Sequence, residues 1–400
     1  MPLDILFTAA TYSPSIDGVA YVIQNISEWL AARGHKVTVA TAHRPDRDFD
    51  HLNGVAVLQF DISGNQVVGY RGDIISYCNF ISTFAGDILI NYAAQNWASD
   101  LSYPLLKKLR CKKIFIPCGY SGLHDERYRL YFAVMPEILK NYDHIIYHSA
   151  HYQDKYFGDE HGIEHYSIIP NGAREDEFLK PYGGFRKKYE IKTSKLFLSV
   201  GNYGVEKNQE FVLKAYLDAN VPDSTLAFIG SAFNSYSWKV LRKDPCRNSL
   251  YNNAFKYTTL IKRHIFHHLF PVHNLKGPSL HGANIAILEN VPREMVVSAY
   301  HEADLFLYGS LVECFPLVIV EALASGTPFI TTNCGNVAEL PGGIIVSSPI
   351  KMTEAIRALA DKGVTWKKLS QESRMAWERH YQWDKIAERY EQVFKRILTQ

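Results

Sequence analysis

The sequence predicts an α/β protein made of two Rossmann-like, doubly wound domains facing a cleft. Three observations predict it. The chain has 400 residues, too many for one ordinary core. Apolar segments of strand character alternate with segments of helical periodicity, and the alternation runs twice along the chain. The first strand passes into the first helix through a glycine-containing loop, the opening of a βαβ unit and hence of a parallel sheet.

Strand Ile5–Ala9 leads through Tyr12-Ser-Pro-Ser-Ile-Asp-Gly18 into a helix. Val19, Val22, Ile23, Ile26, Trp29 and Leu30 recur at helical spacing, and Gly34 closes that helix. Lys36–Ala40 is the second strand, and further strands are expected at Gly86–Asn91, Lys113–Pro117 and His144–Tyr147. Ile168-Ile-Pro-Asn-Gly172 closes the first half, and Gly183–Gly184 stands in a polar stretch as the expected hinge. The second run begins at Leu196–Gly201. It continues through Thr225–Gly230, Asn284–Leu288, Leu305–Tyr308, Phe329–Thr332 and Gly343–Val346. Two helical patterns, Trp366–Tyr381 and Trp383–Leu398, end it. The expected division is 1–182, 183–380 and a terminal helix at 381–400.

Composition narrows the function classes. Apolar residues make up 47% of the chain, which argues against extensive disorder. A formal net charge of +2 gives no global pull towards nucleic acid, and no recognition module for it is evident. The six cysteines lack the close pairing of zinc or redox sites, so reduced thiols of a cytoplasmic enzyme are expected. The opening MPLDILFTAA is a strand and not a secretory signal. No charge-free apolar run approaches the ~18 residues of a membrane span.

The densest chemistry lies between Leu305 and Glu339. There Glu313 ends a loop, Pro316 marks a helix start, and Glu321 follows one helical turn on. Gly326 stops that helix before the strand Phe329–Thr332. A helix N-terminus attracts phosphate, and two carboxylates beside it would repel phosphate alone. They suit a ligand whose neutral hydroxyls flank a diphosphate, such as a nucleotide sugar.

With its loop, proline, A-S-G-T-P turn and strand, this segment resembles the E-x7-E signature of retaining GT-B glycosyltransferases of family 4. Other motifs follow in the family's order. They are Pro14 with Asp17–Gly18, Arg33-Gly-His-Lys-Val37, Ile169-Pro-Asn-Gly172 and Val200-Gly-Asn-Tyr-Gly-Val-Glu-Lys207. The last is Trp383, Ile386, Ala387 and Tyr390, in a helix that crosses back onto the first domain.

The resemblance implies hexosyl transfer with retention, from a nucleotide-diphosphate sugar to a hydroxyl of a saccharide or lipid-linked saccharide, with no metal or other cofactor. It implies that Lys207 meets the leaving diphosphate, that Glu313 orients the donor sugar and that Glu321 accepts from the ribose diol. Phe315, Pro316 and Leu317 would lie along sugar and phosphates through backbone groups, and Gly18 would let the first-domain loop approach the diphosphate. Asn202 stands where the family usually has an arginine, leaving Lys207 as the side-chain charge of the clamp. The family's catalytic histidine normally follows the fourth strand. None stands near Cys118, and His124, a few residues on, is the candidate in its place.

Other patterns point elsewhere. Asp46-Arg-Asp48-Phe-Asp50 has the spacing of a metal-binding D-x-D, but among Arg44, Pro45 and Arg47 it reads as a solvated loop. His264, His267 and His268 sit among basic residues and read as surface. Tyr103–Lys113 and Ser235–Phe270 mix apolar and basic residues and are the candidates for contact with an acceptor or with the inner face of a membrane, a pattern that core-facing helices with solvated charges share. Two other functions compatible with the residues are a nucleotide-sugar epimerase or hydrolase and a sugar-nucleotide-binding regulator or inactive partner subunit.

Overall fold

The computed structural model describes residues 1–180, 183–231, 275–276 and 283–399. They form two units, Met1–Asn171 with Gln382–Gln400, and Gly172–Tyr381. The first boundary therefore precedes the expected 182/183, because the segment after Asn171 packs with the second unit. Phe178 is buried in that unit's core. The Gly183–Gly184 pair belongs there too: the Glu302 carboxylate accepts the backbone N–H groups of Gly184, Phe185 and Arg186 at 2.6–2.9 Å.

The first unit carries an eight-stranded sheet. From one edge its order is Tyr166–Ile168, His144–Tyr147, Lys112–Ile116, Ile88–Tyr92, Asp4–Thr8, Lys36–Ala42, Val55–Phe60 and His51–Leu52. All neighbours are parallel except the last pair. Ile5 lies between Val37 and Ile88, and Phe7 between Val39 and Ile90. Ile5, Leu6 and Phe7 are fully buried, as a central parallel strand covered on both faces requires. The sequence expectation omits Val55–Phe60. Its signal is the Asn53–Gly54 turn, with φ of 49° and 84°, a common hairpin pair.

The terminal helix Trp383–Leu398 belongs to this first unit. Trp383, Ile386, Ala387 and Tyr390 are buried, and Trp383 meets the Tyr21 ring edge-on at 6.2 Å. The Arg33-Gly-His-Lys-Val37 motif gains a physical role here. Gly34, at φ 86°, ends the first helix and lets His35 turn inward. His35 Nδ1 accepts the Leu3 N–H at 3.0 Å, so its Nε2 donates to Glu391 at 3.1 Å. One imidazole thus ties the first strand to the last helix.

The second unit carries a seven-stranded sheet. Its order is Leu275–Lys276, Ala283–Glu289, Ser224–Gly230, Lys195–Val200, Leu305–Tyr308, Phe329–Thr332 and Gly343–Val346, antiparallel only at the first pair. The expected helix Trp366–Tyr381 is two elements. The α-helix Val364–Ala376 gives way to a π turn at Trp377–Tyr381. Trp377 is fully buried and its indole N–H donates to the Ala173 carbonyl at 3.0 Å, while Ala173 N–H donates to Tyr381 O at 2.9 Å. Holding the tryptophan there widens the last turn. Among the described residues no helix is long and apolar enough to cross a membrane.

Candidate active site

Doubly wound sheets bind ligands where strand order reverses, beyond the strand C-termini. In the second unit the chain runs outward from Lys195–Val200 through Ser224–Gly230 to Ala283–Glu289. It then returns to the other side of Lys195–Val200 as Leu305–Tyr308. The switch point lies between those two strands, and their following loops carry Lys207 and Glu313.

Hydrogen bonds stitch these loops together. After Val200 the chain forms a 3-10 turn at Val205–Lys207, and Asn208, left-handed at φ 48°, starts the helix Gln209–Ala219. Leu311 N–H donates to the Glu206 carbonyl at 2.7 Å, and Ser310 Oγ reaches the same oxygen at 3.1 Å. Gly309 is needed at this contact, because a Cβ there would lie 2.9 Å from the Asn208 carbonyl. The next loop joins in. Thr332 Oγ1 donates to Ser310 O, and a Cβ on Gly335 would meet the Glu313 and Cys314 carbonyls at 2.8 Å.

Within this frame Lys207 Nζ forms an ion pair with Glu313 Oε1. The same oxygen accepts from Tyr308 and, at 2.8 Å, from Ser310. Glu313 is thus held by three donors. Burial and the Glu313 charge drive the Tyr308 phenol well above its ordinary range, so it stays a donor. Burial, with Glu313, also pushes the Cys334 thiol up to about 11, leaving it protonated and unreactive.

The helix Leu317–Ser325 begins at Pro316 and ends at Gly326, left-handed at φ 72°, both as the sequence predicts. Its first N–H groups have no partner within the helix. Phe315 is buried, with its ring 6.4 Å from that of Tyr381, so its side chain builds core. Glu321 is buried, and Arg293 NH1 lies 2.6 Å from its Oε1. Burial raises the Glu321 pKa, and Arg293 opposes that rise.

Asn202 is exposed, and its carbonyl accepts from Gln209 at 3.0 Å. Gly18 and His124 belong to the first unit. Asp17 caps the helix Gly18–Ala32 through Ala20 N–H and also accepts from Thr11 and Ser15, so the loop before Gly18 is ordered. His124 occupies an exposed turn. Asp46 is engaged by Arg44. Arg47 is buried, donating to the carbonyls of Tyr12, Ser13 and Ala42. It is a bracket for the Gly18 loop, and the reading of the whole run as solvated is corrected at that residue. In Tyr103–Lys113, Tyr103, Leu106, Leu109 and Cys111 are buried, so its apolar side faces the core and not a membrane. Ser235–Phe270, with its histidines, lies outside the described residues.

Sequence reasoning missed Tyr308, Ser310 and Arg293. The first two were within reach, Tyr308 ending the strand five residues before Glu313 and Ser310 lying three before it on the loop. Arg293 gave no local signal.

Residues 16–177 match the family model described as Glycosyltransferase Family 4, and residues 272–362 match that of Glycosyl transferases group 1. A D-inositol 3-phosphate glycosyltransferase of Corynebacterium diphtheriae is 31% identical over 116 residues, 28% of this chain and only 27% of that protein. Sucrose-phosphate synthase of Thermosynechococcus elongatus superposes with a TM-score of 0.74 at 16% identity, covering 99% of each chain. Anabaena HepE, in complex with UDP and glucose, gives 0.71 at 14% identity over 98% of this chain and 99% of its own. The first match runs a few residues past Asn171 and the second falls within the second unit; together they span more than half of the chain, which belongs to the family 4, group 1 glycosyltransferases of GT-B fold.

Proposed function

We propose that the protein transfers a hexosyl group from a nucleotide-diphosphate sugar to a hydroxyl of a saccharide or lipid-linked saccharide, with retention and without a metal. The observation that carries this reading is the gathering of Lys207, Glu313 and the Pro316 helix start at one switch point. A HepE relative bound to UDP and glucose supports the donor class.

In this reading the bond from the anomeric carbon to the diphosphate breaks while the acceptor oxygen bonds to the same face. Lys207 leaves Glu313 for the departing diphosphate, whose charge the helix start also meets. Glu313 keeps Tyr308 and Ser310 and turns to the sugar hydroxyls, while Glu321 accepts from the ribose diol. A departing phosphate oxygen takes the acceptor's proton, so no side-chain base is needed. His124 is the first-unit residue that tests the alternative of a base. The reaction is placed in the cytoplasm, at the inner face of the membrane when the acceptor is lipid-linked.

The test is a thermal-shift screen of nucleotide sugars, followed by mass spectrometry of products and NMR of the new anomeric centre. Donor binding raises the melting temperature in proportion to the logarithm of saturation. A glycosylated acceptor of retained configuration, formed in excess EDTA, is the expected result. Free sugar or an epimer formed without acceptor would make the protein a hydrolase or epimerase. Donor binding with no turnover across the acceptor panel would make it a regulator or inactive subunit.

A further inference from the structure

Arg293 opens the helix Arg293–Glu302 and stands between two carboxylates. NH1 lies 2.6 Å from Glu321 Oε1. NH2 donates to Glu177 Oε2 at 2.6 Å, and Nε reaches both Glu177 oxygens at 3.2 Å. The guanidinium carbon lies 5.9 Å from the centroid of the buried Phe178 ring. A planar fork held on one side by a carboxylate presents its other nitrogen in a fixed direction.

The Glu321 side chain is 8% exposed. A carboxylate so buried takes up a proton unless a counter-charge faces it. The titratable groups that face it are Arg293 and Tyr300 from the helix Arg293–Glu302 and Glu177 from Glu175–Phe178. Arg293 and Tyr300 favour its ionised form, and Glu177 disfavours it. Arg374, on the packed helix Val364–Ala376, is turned to the Ala324 carbonyl and Glu378.

We infer that Arg293, oriented by Glu177, is a positioning residue that holds Glu321 as the fixed, ionised acceptor for a ribose diol. The inference rests on the ribose role proposed above for Glu321. A protonated glutamate loses much of its capacity to accept two hydroxyl donors, so donor affinity depends on the Arg293 charge although Arg293 itself need not touch the donor.

UDP-glucose, GDP-mannose and ADP-glucose serve as probes, since each carries a ribose diol and a diphosphate diester that keeps its charge across the neutral range. Calorimetric affinities are measured from acid to neutral pH. In the wild type, affinity falls on the acid side as Glu321 protonates. Arg293→Met should move that acid limb up by about one to three pH units, and Arg293→Lys should restore most of the shift. Glu321→Gln should weaken binding and abolish the limb. If Glu321→Gln weakens binding but the limb of Arg293→Met stays in place, the inference is overturned while the ribose role stands. Unchanged affinity in Glu321→Gln, or no binding of any probe to the wild type, overturns both. Should Arg293→Met fail to fold, Arg293→Gln, polar but uncharged, carries the test: its limb should also move up, and an unmoved limb overturns the inference.

Discussion

The two units are built alike but finish their switch points differently. In the first unit the order reverses between Asp4–Thr8 and Ile88–Tyr92. The loops beyond are shaped by backbone: Ala93 and Gln95 have φ of 65° and 61°, and Cys118, Gly119 and Tyr120 have φ of 57°, 100° and 49°. Arg47 brackets the loop before Gly18, while a neutral side chain and one buried acid hold the loop at Cys118–Tyr120. Gln153 donates to the Gly119 and Tyr120 carbonyls, and Asp154 accepts the Gly119 N–H at 3.0 Å. In the second unit the switch point is finished with an ion pair, Lys207 with Glu313, and a buried one behind it, Arg293 with Glu321. Strained backbone over a rigid sheet suits selection of a shape. Opposed charges suit chemistry in which charge develops. On the proposed function, one topology would serve two tasks through its loop residues.

The contrast is broken most severely at Lys207. If the charged switch point carries the reaction, Lys207→Ala should cost 100- to 1000-fold in turnover, by analogy with ~3–4 kcal/mol for losing one preorganised donor. Near-normal turnover on an identified donor–acceptor pair would place the phosphate site elsewhere.

Next in size is a pH effect of the first unit. His148 is buried between Tyr92 OH, 2.8 Å from Nε2, and the Ile169 carbonyl, 3.0 Å from Nδ1. Burial lowers its pKa from 6.5 to about 4. Because the folded-state value is depressed, the neutral form is favoured in the folded protein. The stability it contributes is present above pH 6.5 and is lost as pH falls towards 4. The loss is on the order of 3 kcal/mol. The slope of stability with pH from urea unfolding should become shallower in His148→Gln; what remains comes from His144 and His301, which burial also lowers to about 4, opposed by Asp100 and Asp154, which burial raises to about 6. An identical slope in wild type and variant would show that His148 is not buried neutral.

Glu321→Gln keeps the shape of the site and removes a charged acceptor, worth ~1.5–3 kcal/mol. Donor affinity should fall at least tenfold, with little change in melting temperature; an unchanged dissociation constant removes Glu321 from the donor site. The smallest effect is expected at His124. As an exposed turn residue it should alter stability by no more than ~0.5 kcal/mol when replaced by Ala. Donor affinity should not change. A loss of turnover of ~100-fold or more would put a general base on the first unit and erase the contrast.

Much of this was legible in the sequence because it is local. Strands at His144–Tyr147, Leu305–Tyr308, Phe329–Thr332 and Gly343–Val346 have the expected bounds, since short apolar runs between turn residues bury themselves wherever a sheet offers room. Gly326 ends its helix as expected, because only the left-handed region continues the chain there without a Cβ penalty. Lys207 and Glu313 were singled out by the resemblance of the motifs around them, although no spacing states that they touch.

Tertiary structure alone decided the rest. Arg47 reads as one more charge in a polar loop until its guanidinium is found on the carbonyls of Tyr12 and Ser13. Arg293 lies 116 residues from Glu177 along the chain and shares no periodic pattern with it or with Glu321. Periodicity and turn chemistry act within a few residues and leave their record in order and spacing. A counter-charge for a buried carboxylate acts through space, and its place is fixed only when the packed helices bring it there.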